Sequence, residues 1–298
     1  MTGLLAALPV LLALAGEPSR FRDLAETELG PELARVHAAH PELAARLDAV
    51  SERFLGTPYR LGPLGEGEGG EFDRDPLVNF READCTTFIE QVLGLSLEAD
   101  WPRSQELLRK IRYRDGRVAY EARNHFPETD WIPNNIRAGF LSDVTRAVAG
   151  RRARWAFKTI DKRAWYLAKS TTDLEGFAAE PEAERLRRVE RWRALGQGLK
   201  SENARLPYVP LEDLAEVLPR VPSGAIGNVV RESLPDKPVL VTHQVLLLQK
   251  PAGTIVRHAA YGKRVEDVPA AEYFARLKDA KWRVLGVNLN AVVGRPGD

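Results

Sequence analysis

The spacing of apolar residues changes period along the chain. Between 18 and 54, Leu24, Leu29, Leu33, Val36, Leu43, Leu47 and Val50 recur at helical intervals, predicting helix through the segment. From Thr86, a second helical pattern puts Phe88, Ile89, Val92 and Leu93 on one apolar face, and 101–112 reads as a third helix. A turn-rich run, Gly56-Thr57-Pro58-Tyr59-Arg60-Leu61-Gly62-Pro63, and an acidic glycine loop at 65–70 separate the first two. Residues 113–135 are irregular and mix aromatic with polar side chains. The stretch at about 150–200 is densely charged, is helical in its latter half, and reads as a helical insertion beside the core. Strand character dominates afterwards, at 225–231, 239–249, 254–261 and 283–289. Helices first and strands later predict an α+β fold, with 16–298 as a single domain.

The N-terminus stands apart. From Gly3 to Gly16 the chain is almost purely apolar, with Leu4, Leu5, Leu8, Val10, Leu11, Leu12 and Leu14 among small residues. It is too short to span a bilayer comfortably. Ala13-Leu14-Ala15 fits the small-x-small cleavage rule, and polar Glu17-Pro18-Ser19-Arg20 follows. Residues 1–15 are therefore expected to be a signal peptide, although only the amino terminus supplies its positive charge. The mature protein is expected to be secreted or periplasmic, with no stable membrane insertion.

Composition narrows the partners. Lys and Arg number 43 against 42 Asp and Glu, a balance that gives no support to a nucleic-acid partner. Cys85 is the only cysteine, so no internal disulfide can form, and a lone cysteine in an exported chain suggests a reactive thiol or intermolecular pairing.

Cys85 lies in Asp84-Cys85-Thr86-Thr87-Phe88, at the start of the second helical pattern. A thiol attacks as its thiolate, which a helix N-terminus stabilises through free backbone N–H groups. The same groups can hold an oxyanion, and Asp84 is a suitable cap. Downstream, His243 and His258 fall on consecutive predicted strands joined at Lys250-Pro251-Ala252-Gly253. If Gln249 pairs with Thr254, His258 opposes Val245, and His243 and His258 share a sheet face on a diagonal. A slip of one residue would put them on opposite faces. A thiol, a base and an orienting imidazole make a nucleophilic triad. Zinc is the rival chemistry, since Cys85, His243 and His258 could supply three ligands, but no compact metal-ligand spacing occurs, and none is expected. Nor does any cofactor-binding motif occur. His125 could contact substrate or cap the irregular loop, and His37 and His40 read as surface residues.

Tyr59-Arg60-Leu61-Gly62, Phe72-Asp73, Asp84-Cys85-Thr86-Thr87-Phe88, Arg123-Asn124-His125-Phe126 and Asp130-Trp131 together resemble a bacterial family once catalogued as a domain of unknown function. This DUF1460-type family is described as N-acetylmuramoyl-L-alanine amidase-like and is similar to the NlpC/P60 branch of papain-like cysteine peptidases. The resemblance runs from about Glu52 to Leu289. It implies a papain-like core: N-terminal helices, and a nucleophile-bearing helix packed on an antiparallel sheet. It implies Cys85 as nucleophile, His243 as base, His258 as the orienting residue and Tyr59 as an oxyanion-site hydroxyl. Tyr113, Arg123 and His125 would belong to substrate walls. Three positions depart from the family pattern: Gly224-Ala225 in place of Gly-Asp, Gln244-Val245 where glycine follows the base, and Ala259-Ala260 in place of Ala-Ser. The implied activity is cleavage of an amide bond in peptidoglycan or muropeptides, between N-acetylmuramic acid and L-alanine. A γ-D-glutamyl-diaminopimelate endopeptidase is the alternative, and a non-catalytic periplasmic binding module on the same fold is the alternative of a different class.

Overall fold

The structure is a computed structural model and describes residues 18–294. The expected signal peptide lies outside the described residues. Helix α1 (Glu26–Ala39) and α2 (Leu43–Glu52) are separate, because Pro41 disfavours helix at the residue before it; the single segment read over 18–54 is thus divided at His40. Helix α3 (Cys85–Leu97) is buried from Thr87 through Leu97. Helix α4 (Trp101–Arg112) packs against it with Leu107, Leu108 and Ile111 inward and its other residues largely outward. Short helices α5 (Ile132–Arg137) and α6 (Thr145–Ala149) follow, on either side of strand β1 (Leu141–Asp143).

The charged middle differs from the expected helical insertion. It opens with strand β2 (Arg154–Ile160), passes through α7 (Lys162–Leu167) and α8 (Glu182–Gly196), and closes with strand β3 (Glu202–Pro210). β2 and β3 pair antiparallel over seven positions, from Arg154↔Tyr208 to Ile160↔Glu202. The strand period was masked because β2 lies at the sheet edge: Ala156 and Ile160 turn inward while Arg154 and even Phe157 stay exposed.

After α9 (Leu214–Val217) come β4 (Ala225–Arg231), β5 (Val241–Lys250), β6 (Gly253–Ala259), β7 (Val265–Pro269), α10 (Ala270–Arg276) and β8 (Val284–Val292). The eight-stranded sheet runs β2-β3-β8-β4-β5-β6-β7, with β1 pairing β8 off this path. Every pairing is antiparallel. Central β4 is buried at all seven residues, as a strand covered on both faces must be. Ile226, Val230, Leu246 and Leu248 share one core with α3, while Val229, Val245, Leu247 and Val256 share a second with Tyr273 and Phe274 of α10. Gly224 turns the chain into β4 at φ +85°, and a Cβ there would meet Leu47 Cδ1 at 2.5 Å, so this glycine is required twice over. A third cluster of Phe72, Tyr120, Tyr166, Phe177 and Trp192 lies under α7 and α8. No helix among the described residues is long and apolar enough to cross a membrane.

Candidate active site

Cys85 is the first residue of α3. Asp84 caps the helix, its Oδ1 accepting from the Thr87 N–H at 2.7 Å, and Thr87 Oγ1 accepts from the Asp84 N–H at 2.9 Å. The second carboxylate oxygen of Asp84 accepts from the Gly62 N–H at 2.9 Å. Tyr59 pairs with Ala83 in an isolated bridge, and the Arg60 N–H donates to the Ala83 carbonyl at 3.2 Å. Asp84 therefore ties the Tyr59–Gly62 turn to the start of the helix that carries Cys85.

The histidine hairpin has the register that the shared-face argument required. Gln249 pairs with Thr254 and Leu246 with Arg257. His243 Nε2 lies 2.8 Å from His258 Nδ1, with the rings perpendicular. Next to His243 is a feature the sequence did not signal. Between β4 and β5 the register slips, with Val229 opposite His243 but Val230 opposite Val241, so Thr242 is an extra residue. A bulge here increases local twist and re-aims the neighbouring side chain. The Gln244 backbone N–H lies close enough to the Cys85 thiol to favour its thiolate, so the histidine strand passes beside the helix start. The Gln244 side chain turns away, its Nε2 donating to Asn228 Oδ1 at 2.8 Å. A glutamine after His243 thus finds a buried partner in the sheet where the related pattern has glycine.

Burial governs the charge states. It pushes the Cys85 thiol up to about 12, helped by the Asp84 carboxylate, against hydrogen bonds from Gln244 and Thr86. Burial, and the neighbouring His258, push His243 down to about 3. His258 is pushed down to about 4 by burial, with the Lys263 and Arg276 charges acting the same way and Asp267 opposing them. Burial thus favours the neutral form of the thiol and of both imidazoles.

Cys85, His243 and His258 line one cavity of about 640 Å³ with Tyr59. Tyr273 also lines it, with its ring 4.9 Å from that of His258 and its hydroxyl held protonated by burial and by the neighbouring Cys85. Tyr59 is likewise held protonated, chiefly by burial. Tyr273 was missed because nothing in Ala270–Arg276 marks one helical tyrosine as facing a cleft. Arg231 and Lys237 were missed too; Arg231 enters the cavity from the end of β4 and Lys237 from the β4–β5 connection.

The remaining candidates lie elsewhere. Tyr113 is fully buried, and its hydroxyl donates to the Gly65 carbonyl at 2.8 Å. Arg123 is held by Glu66 and, at 2.8 Å, by Asp73, with its guanidinium over the Tyr120 ring. His125 bonds the Tyr120 carbonyl at 2.8 Å and packs on Trp165. Arg123 and His125 line a different depression, and none of the three lines the Cys85 cavity. In this position they pin the 65–73 loop and the aromatic cluster. The Asp130-Trp131 motif does reach the site's supports. Trp131 Nε1 donates to Glu90 Oε1 of α3 at 3.0 Å, and the neighbouring Glu128 carboxylate accepts from the Leu240 N–H just ahead of β5. His37, expected at the surface, is half-buried and bonds the Leu95 carbonyl at 2.7 Å, clamping α1 to the end of α3. Among the described residues no three His, Cys, Asp or Glu side chains converge as a metal site.

Solved structures share this architecture. A Legionella pneumophila protein of the DUF1460 family is 26% identical with a TM-score of 0.82, over 90% of this chain and 95% of that one. An N-acetylmuramoyl-L-alanine amidase from Bacteroides uniformis is 25% identical with a TM-score of 0.62, over 84% of this chain and 99% of that one. A Bacteroides fragilis protein described as a xylanase candidate is 25% identical with a TM-score of 0.58, over 82% and 100%. Among curated proteins no match is found. Residues 49–281 match the AmiA-like family, and the chain belongs to that N-acetylmuramoyl-L-alanine amidase-like family.

Proposed function

We propose that the protein is an exported cysteine amidase that cleaves the bond between N-acetylmuramic acid and L-alanine in peptidoglycan fragments. Membership of the amidase-like family supports hydrolysis of a peptidoglycan amide. The observation that carries the cysteine mechanism is the 2.8 Å contact of His243 Nε2 with His258 Nδ1 in the cavity that holds Cys85 at a helix start.

The mechanism uses one of the two tautomers compatible with that contact. When His243 Nε2–H donates to His258 Nδ1, His243 Nδ1 is left unprotonated as the base. It takes the Cys85 proton as sulfur attacks the amide carbonyl carbon. The oxyanion is held by the Cys85 backbone N–H and the Tyr59 hydroxyl. The His243 imidazolium then protonates the leaving amine, the C–N bond breaks, and water activated by His243 hydrolyses the thioester. No cofactor enters these steps. A glycosidase reading, prompted by the xylanase-named relative, lacks its reacting groups: retaining and inverting mechanisms ordinarily need a carboxylate pair, and no Asp or Glu lines this cavity.

Mass spectrometry of defined muropeptides after incubation tests the reading. Products split between sugar and L-alanine are expected. Cleavage at the γ-D-glutamyl bond to diaminopimelate would replace the amidase by an endopeptidase, and binding without any cleavage would point to the binding module.

The histidines also set a pH response. Their folded values, about 3 and about 4, lie below the ordinary imidazole value near 6.5. The unfolded chain therefore takes up protons first as pH falls. Their contribution to stability is full above about pH 6.5 and is lost progressively as pH drops towards 3. Activity follows the folded values, so the acid limb of kcat/KM is expected below about pH 5 in a pH–rate profile. A limb centred near 6.5 would refute a base held neutral by burial.

A further inference from the structure

The walls of the Cys85 cavity differ in chemistry. Among the described residues two cations, Arg231 and Lys237, line it, and no carboxylate does. Arg231 is buried, yet among the described residues it makes no salt bridge; its Nε and Nη2 donate to the Val239 carbonyl at 3.1 and 2.7 Å. Burial lowers its affinity for the proton, and Glu128 and Asp236 compensate only from a distance. Lys237 pairs with Asp236 at 3.2 Å, but both side chains are exposed, so the pair is weak and exchangeable for a ligand carboxylate. On the rest of the rim stand three exposed large apolar side chains, Tyr261 (79%), Leu61 (74%) and Trp282 (40%), the first two the most exposed among the described residues. Exposed apolar groups gathered at one mouth mark a binding surface.

We infer that this cavity selects amide substrates carrying a free carboxylate, which Lys237 and Arg231 receive while Tyr261 and Trp282 cover the substrate's less polar face. The inference rests on the amidase reading and adds a substrate requirement to it. In a muropeptide the free carboxylate nearest the sugar–alanine bond belongs to the D-isoglutamate residue, and amidation to D-isoglutamine removes its charge. An ionised carboxylate beside a partly desolvated guanidinium forms a charge-assisted hydrogen bond that the carboxamide cannot match.

The test compares isoglutamate and isoglutamine muropeptides on the full protein, Lys237→Met and Lys237→Arg. The unmodified protein should cleave the isoglutamate form at least about 10-fold better in kcat/KM, through KM. Lys237→Met should lose most of that preference through a higher KM for the isoglutamate form, and Lys237→Arg should restore it. Equal cleavage of both forms, or an equal loss on both in Lys237→Met, would overturn the inference. If neither form is cleaved, the amidase reading fails separately. Calorimetric binding of the two muropeptides to Cys85→Ala then decides the carboxylate claim, tighter isoglutamate binding upholding it and equal affinities refuting it.

Discussion

Cys85→Ala is expected to lower amide cleavage by at least about 10⁴-fold while the melting curve scarcely moves. Removing a nucleophile from a triad removes the covalent route altogether, leaving only what binding and oxyanion stabilisation supply. The fold has no comparable stake in the sulfur. Among the described residues its side-chain hydrogen-bond partner is the Thr86 hydroxyl, at a long 3.9 Å. The helix start is held instead by Asp84, through Thr87 at 2.7 Å and Gly62 at 2.9 Å. Alanine is also the best helix former, so a stability change below about 1 kcal/mol is expected. Thermal unfolding beside turnover of a defined muropeptide separates the two effects. Undiminished turnover in the variant would remove Cys85 from the mechanism, and with it the role given to His243.

That test is possible because the central site could be read from sequence. Cys85 follows a capping residue at the start of an apolar helical pattern, and a four-residue turn fixes the register that brings His243 and His258 to 2.8 Å. Both signals are local. The strands at 225–231, 239–249, 254–261 and 283–289 were legible for the same reason: they are central or nearly so, and their burial leaves continuous apolar runs. What could not be read depends on distant contacts. β2 and β7 are the edge strands, and their charged outer residues hide the alternation. Tyr273, Arg231 and Lys237 reach the cavity from segments with no motif of their own. Arg123 and His125, expected in substrate walls, line a depression apart from the Cys85 cavity. A dense polar motif marks tight packing as readily as chemistry, and here Arg123 serves Glu66 and Asp73 while His125 serves the Tyr120 carbonyl. Such ion-pair networks perturb charge states just as active sites do.

One junction of this kind carries the second large effect. Arg112 and Glu90 pair at 2.6 Å, with both side chains almost fully buried. Arg112 also donates to the Leu64 carbonyl, and Glu90 accepts from Trp131 Nε1 at 3.0 Å. Helix α3, α4, the 64–73 loop and the Asp130-Trp131 motif thus meet at one ion pair, on the helix that begins with Cys85. Removing one partner of a buried pair costs about 3–5 kcal/mol, because the other charge stays behind. The two single variants should differ in how that cost depends on pH. Glu90→Gln strands a guanidinium that cannot discharge, and it removes a carboxyl that holds its proton more tightly folded than unfolded, so its loss relative to the unaltered protein should shrink as pH rises from 5. Arg112→Met strands a carboxyl instead. Burial already lifts Glu90 above its ordinary value even with Arg112 opposing, and without the arginine it must rise further. A carboxyl raised in the folded state binds its proton there before the unfolded chain does, so it weakens the fold most at high pH. The penalty of Arg112→Met, relative to the unaltered protein, should therefore shrink as pH falls from 8 towards 4. Denaturant unfolding of both variants across that range checks the contrast. Parallel pH profiles would mean that Glu90 never bears the stranded charge, and that the junction is held by packing around Trp131 rather than by the ion pair.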